Sequence, residues 1–138
     1  MIVVVSGQTR KAGKTAAMCA IINATRELAW TAVKLSPHGH SAEDVHNGDT
    51  GRYLRAGAAA AFLLASIAEL PASRPLIVES NAAAEALKPD LLVFVAGGSE
   101  WKDSAHRLVS AADVVLRTAE DVEKAIAAVK EKARGRHK

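Results

Sequence analysis

The sequence predicts a three-layer α/β fold, with a mostly parallel sheet flanked by helices, and three observations predict it. Short aliphatic runs without polar alternation, Ile2-Val3-Val4-Val5 and Leu76-Ile77-Val78 among them, have the character of buried parallel strands. Between such runs lie segments whose apolar residues recur at helical spacing. The two kinds alternate along 138 residues with no internal repeat and no linker, the pattern of one domain built from strand and helix units.

Taken in order, residues 2–6 are the first strand. The period changes at Gly13, and Met18, Ile21, Ile22, Thr25 and Ala29 then fall on one face of a helix over residues 14 to about 29. Residues 31–35 read as a second strand, ended by Pro37 and the polar segment SPHGHSAEDVHNGD, a surface loop. Asp49 or Thr50 is placed to cap a short helix through Arg55. The segment GAAAAFLLASIAEL, residues 57–70, carries two readings: alanine propensity argues helix, while its position between helix signals allows a strand near 60–65. Residues 76–79 are a strand, 81–87 a short helix stopped by Pro89, 90–95 a strand, 104–111 a helix and 114–116 a short strand. Thr118 caps the last helix, with Glu120 and Asp121 in its first turn, as the helix dipole prefers, and Val122, Ile126 and Val129 on its buried face.

Composition narrows the classes. With 49% hydrophobic and only 4% aromatic residues, the chain is a globular protein packed from aliphatic side chains, neither disordered nor fibrous. No apolar run reaches membrane-spanning length, and Met1 is followed at once by the first strand without a basic leader, so a cytoplasmic protein with no membrane partner is expected. The lone Cys19 agrees with a reducing compartment. The net charge of +3 is concentrated in a basic tail over residues 130–138, which carries +4 and leaves the remainder at −1; the tail is expected to fray into solvent, and nucleic acid is not an expected partner.

The chemistry begins in VSGQTRKAGKTAAM, residues 5–18. Gly13-Lys14-Thr15, between a strand and a helix, is the end of a phosphate-binding loop. Five residues, Gln8 to Ala12, separate Gly7 from Gly13, where the common pattern has four. Such a loop points consecutive backbone N–H groups and the positive end of a helix dipole at phosphate oxygens. Gly7, Gln8, Thr9, Arg10, Lys11, Ala12, Gly13, Lys14, Thr15 and Ala16 are therefore the candidate nucleotide-binding residues. Lys14 would reach the β- and γ-phosphates, and Thr15 would hold Mg²⁺ through its hydroxyl. Arg10 and Lys11 either touch phosphate or are solvated. Glu79 ends an aliphatic strand, where a carboxylate projects toward the phosphate loop and would bind Mg²⁺ directly or through water, or polarise an attacking water. Lys14 and Glu79 are thus the candidate catalytic residues.

The five-residue spacing resembles that of dethiobiotin synthetase and the cobyrinate amidases, members of the SIMIBI class of P-loop proteins. The lysine that marks this loop in many relatives of that class would fall at Thr9, so a lysine-dependent dimer mechanism is not expected, although a homodimer is allowed. Over roughly residues 2–80, the order strand, GKT, AVKLSPHGH, GDTGRYLRAGAA, LIVES resembles the molybdopterin-guanine dinucleotide biosynthesis protein B family. Lys34, His38, His40, Arg52, Arg55 and Gly57 follow that family's order, whereas its glycine after the Walker B glutamate is Ser80 here. The resemblance implies a P-loop NTPase fold, Mg²⁺ as cofactor, ATP or GTP as ligand, and a role in molybdenum cofactor biosynthesis with a pterin-type acceptor or a biosynthetic partner protein. By similarity to dethiobiotin synthetase, Asp49 is a second metal-side carboxylate; the competing role is helix cap.

The segment between Lys34 and Arg55 is the candidate second-substrate side: Lys34, His38, His40, Arg52 and Arg55 have the positive character that suits a small acidic acceptor. His38, His40 and His46, with Glu43 and Asp44, are alternatively a zinc-binding group or a solvated loop. Trp101, beside Lys102 in GGSEWKD, either stacks on a base or covers the sheet edge, and no Asn-Lys-x-Asp guanine motif is present. The expected activity is Mg²⁺-dependent nucleoside triphosphate binding with slow hydrolysis. The alternatives are an ATP-dependent transferase or ligase resembling dethiobiotin synthetase, and an adaptor that binds nucleotide without catalysis.

Overall fold

A computed structural model describes residues 1–9, 13–36, 48–98, 101 and 103–135. Six strands, β1 (Ile2–Gly7), β2 (Thr31–Leu35), β3 (Ala60–Leu64), β4 (Leu76–Glu79), β5 (Leu91–Val95) and β6 (Val114–Leu116), form one sheet in the order β3-β2-β4-β1-β5-β6. Every pair in it is parallel.

Because successive residues of a strand point to opposite faces, the aliphatic runs feed two cores. Val3, Val5, Ala32, Ile77, Val93 and Val95 face one side, where they pack with Met18 and Ile21 of α1 (Lys14–Ala24), Tyr53 of α2 (Asp49–Ala56) and Ile126 of α5 (Val122–Gly135). Val4, Val33, Val78, Leu92 and Phe94 face the other, against Ala83 of α3 (Asn81–Ala86) and Leu108 of α4 (Asp103–Ala111). Strands buried on both faces need no polar alternation, which is why their sequences show none. The chain leaves β1 through α1 on one face and leaves the adjacent β4 through α3 on the other. The carboxyl ends of β1 and β4 therefore flank a topological switch point, where open α/β sheets bind ligands.

The structure corrects several local expectations. The first helix stops at Ala24 rather than near Ala29. Thr25 donates its hydroxyl to the Ile21 carbonyl at 2.6 Å and accepts the Trp30 indole N–H at 2.8 Å; this competing bond ends the helix, and a 3₁₀ turn over Arg26–Leu28 follows. Residues 57–70 resolve into β3 and a 3₁₀ turn at Ile67–Glu69. Pairing of Ala60 to Leu64 with Thr31 to Leu35 overrides the helical preference of alanine, since the ladder supplies backbone bonds and packing that propensity alone cannot match. Gly48, not Asp49 or Thr50, occupies the N-cap of α2. Thr118 opens a 3₁₀ turn, Ala119–Asp121, that runs into α5, and this helix continues through the basic segment to Gly135 instead of fraying from residue 130; residues 136–138 lie outside the described residues. Among the described residues no helix is long and apolar enough to cross a membrane.

Candidate functional site

The loop that carries the candidate phosphate-binding motif leaves β1 at Gly7, and its described residues have defined partners. Asn81, the first residue of α3, accepts the Gly7 N–H at 2.9 Å and donates to the Gly7 carbonyl at 2.9 Å, so one side-chain amide grips both halves of the glycine's backbone. The Lys14 stem lies against Gly7: a Cβ there would sit 2.7 Å from Lys14 Cγ, so glycine is what lets the lysine fold over the start of the loop. Gln8 is buried and locks the loop to the β5–α4 connection, donating Nε2–H to the Gly98 carbonyl at 2.8 Å and accepting the Gly97 N–H at 3.1 Å. Thr9 donates its hydroxyl to the Gly97 carbonyl at 3.4 Å. The side chains of Gln8 and Thr9 thus bond to protein, and the Gln8 backbone N–H donates to the Val95 carbonyl at 3.0 Å, so Gln8 serves the shape of the loop. Arg10, Lys11 and Ala12 lie outside the described residues.

Gly13 sits at the N-cap of α1 with φ 97°, a left-handed conformation natural to glycine, and carries no side-chain cap. The amides of the first turn, from Lys14, Thr15 and Ala16, are consequently the positive end of an eleven-residue helix placed at the switch point.

Strand parity brings the second half of the site to the same place. Glu79 shares its face of β4 with Ile77, so it points toward α1 and α2, and it is only 5% exposed. Its Oε1 accepts the Thr15 hydroxyl at 2.8 Å and also the phenol O–H of Tyr53, which is fully buried. Lys34 is register-paired with Glu79 on the neighbouring strand; its Nζ forms an ion pair with Asp49 and lies 3.9 Å from Glu79 Oε2. Arg52 Nη1 reaches Asp49 Oδ1 at 3.8 Å. Asp49 is therefore an ion-pair partner within α2, not its cap. Arg55, exposed one turn further on, lies with its guanidinium over Gly51. Of the proposed acceptor side, Lys34 and Arg52 are brought to the carboxylates, whereas His38 and His40, like His46 of the alternative zinc group, lie outside the described residues.

The electrostatics follow from this crowding. Burial pushes the Tyr53 phenol far above its ordinary range, and the Glu79 charge and hydrogen bond push the same way, so Tyr53 is a permanent donor. Cys19, one turn beyond Thr15 on α1, has its thiol raised by burial, with Arg52 pulling down and Glu79 and Asp49 pushing up.

A cation is implied by the loop motif, and the donor chemistry fits Mg²⁺. Thr15 and Glu79 present hard oxygens 2.8 Å apart, and magnesium takes one or two protein ligands when phosphates and waters supply the rest. Among the described residues no group of three or more His, Cys, Asp and Glu could hold a metal unaided.

Beside α1, on the face carrying α5, an open cleft of about 300 Å³ runs from Gly13 and Ala16 past Val95 and Ala96 to Thr118 and Val122. Trp101 does not line it. Its ring stacks on Phe94 at 6.1 Å and on His106 at 5.1 Å, on the face carrying α3 and α4, so it covers that side of the sheet.

Tyr53, Asn81 and the locking role of Gln8 escaped the sequence reading. The available signal for Tyr53 was a lone aromatic at the centre of a short helix rich in charged residues; for Asn81 and Gln8 there was none, because an amide's partners depend on which loops the fold brings together. Comparison of the chain with known protein families, characterised proteins and solved structures finds no match, so what the site does is a question for its own chemistry.

Proposed function

We propose that this protein is a magnesium-dependent nucleoside triphosphate-binding P-loop protein with slow hydrolytic activity. The observation that carries the reading is the 2.8 Å hydrogen bond from Thr15 to Glu79, made beside the N-terminus of α1 at the switch point of the sheet. The first-turn amides and Lys14 would receive the triphosphate tail. The cleft between α1 and the carboxyl ends of β5 and β6 would receive the base and ribose. When bound, Mg²⁺ would supply charge neutralisation for the triphosphate. Thr15 and Glu79 are the residues that would hold it, and Glu79 would orient the attacking water.

A group-transfer reading is favoured by one observation, the approach of Lys34 to within 3.9 Å of Glu79 Oε2, which brings a cation of the acceptor side to the catalytic carboxylate. An acidic or pterin-type acceptor in molybdenum cofactor biosynthesis belongs to this reading, on the strength of the motif resemblance.

The test is a thermal-shift and binding comparison of ATP and GTP with and without magnesium, followed by single-turnover measurement of diphosphate release. Saturating triphosphate at about 100 times its Kd should add about 2.7 kcal/mol of stability. The absence of any shift with either nucleotide, with magnesium present, overturns the proposal. Stimulation of release by an acidic or pterin acceptor would select the group-transfer reading.

A further inference from the structure

The geometry points to Tyr53 as the positioning residue of the Glu79 carboxylate, a role that rests on reading the site as one for magnesium and a triphosphate. Glu79 Oε1 collects two hydroxyl donors from two different helices, Thr15 of α1 and Tyr53 of α2, while Oε2 faces the Lys34 ammonium at 3.9 Å. With one oxygen held from two directions, the carboxylate plane has little freedom to turn. The second oxygen, paired at 3.9 Å with Lys34, is the one turned to a water or a cation. The Thr15 proton is directed to Glu79, so the lone pairs of that hydroxyl are what it can give a hard cation. That orientation persists only while Oε1 stays where Tyr53 holds it.

Two features suit Tyr53 to this task. It is fully buried, so its phenol has no solvent to turn to. It also stands on α2, one helical turn after Asp49, so the element that holds Lys34 through Asp49 also fixes the carboxylate that Lys34 faces. Partners of this kind, which touch a metal ligand but not the metal, typically change metal affinity by 10–100-fold when removed.

The variant is Tyr53→Phe, which keeps the ring and deletes the donor. Binding of a fluorescent ATP analogue is measured in EDTA and across a magnesium titration, for wild type and variant. The expected result is unchanged nucleotide affinity in EDTA with the magnesium half-saturation point raised about tenfold in the variant. A purely structural role would weaken both states together, and that outcome, or an unmoved magnesium midpoint, overturns the inference. Wild-type protein that binds no nucleotide overturns the reading beneath it, a distinct result seen before the variant is used. A second measurement on the free protein needs neither nucleotide nor variant folding. Tyr53 is the chain's single tyrosine, so one downfield, slowly exchanging hydroxyl proton should appear in its proton NMR spectrum with a nuclear Overhauser contact to Thr15 or Glu79. A phenol that exchanges with solvent as a free tyrosine does would also overturn the assignment.

Discussion

At the scale of single residues, the site works by giving each polar atom a defined partner. Asn81 holds Gly7 at both its N–H and its carbonyl, Gln8 holds Gly97 and Gly98, and Thr15 and Tyr53 hold Glu79, so Gly7, Gln8 and the carboxylate are positioned before any ligand arrives. Preorganisation of this kind avoids the ordering cost that a mobile loop would bear on binding. If Lys14 meets the triphosphate as proposed, Lys14→Ala should weaken its binding by about 2 kcal/mol or more, upward of roughly thirtyfold, since hydrogen bonds to charged groups contribute at that level. Gly7→Ala should also weaken it while leaving the charge in place, because the new methyl would lie 2.7 Å from Lys14 Cγ and push the lysine off the loop. The check is nucleotide affinity in both variants with the fold verified by circular dichroism. Unchanged affinity in Lys14→Ala would remove the phosphate role from this loop.

At the scale of elements, helix termini decide more than helix interiors. The Ser80 hydroxyl accepts the Ala83 N–H at 3.0 Å, and this residue is the N-cap that starts α3 directly after β4. The start of the last helix offers a pH test. Asp121 accepts the backbone N–H groups of Arg117 at 2.7 Å and Thr118 at 3.0 Å and lies 3.2 Å from Lys124 Nζ. Those backbone bonds, with a smaller contribution from Lys124, hold its carboxyl below the ordinary carboxylate value. A group depressed in the folded state contributes stability that is complete above its unfolded pKa and is lost as pH falls through the folded one. Wild type should therefore melt above Asp121→Ala at neutral pH, and the gap between their melting temperatures should close below about pH 4. A gap independent of pH would show that the carboxylate charge plays no part.

At the scale of the whole molecule, the sheet both stabilises the protein and sets the address of the site. Its central strands β4 and β1 supply two hydrophobic cores through alternating side chains, and the same alternation turns Glu79 toward α1 and α2. Ile77, fully buried two residues before Glu79 on the same face, belongs to both tasks. Ile77→Ala should destabilise the fold by about 2–5 kcal/mol through lost burial and a residual cavity. Because β4 keeps its pairing with β1 and β2, nucleotide affinity measured well below the melting temperature should stay near wild type. A denaturation curve beside a binding isotherm separates the two effects, and a loss of affinity matching the loss of stability would show that core and site are not separable.

The amino-acid sequence by itself determined what is local or periodic. Aliphatic runs without alternation gave parallel strands buried on both faces, helical spacing from Met18 to Ile22 gave α1, and Gly13 gave the start of that helix after β1, because each depends on residues close in the chain. Tertiary structure alone decided the rest. Residues 60–64 became an edge strand because β2 was there to pair with, and the helix after the loop ended early because Trp30 folded back on Thr25. Likewise Asp49 became a partner of Lys34 and Arg52 rather than a cap, Trp101 turned away from the cleft to stack on Phe94, and Tyr53 met Glu79 across 26 positions of chain. The physical reason is common to all of these: a polar or aromatic side chain takes whichever partner the packed layers bring within reach, and that reach is a property of the fold.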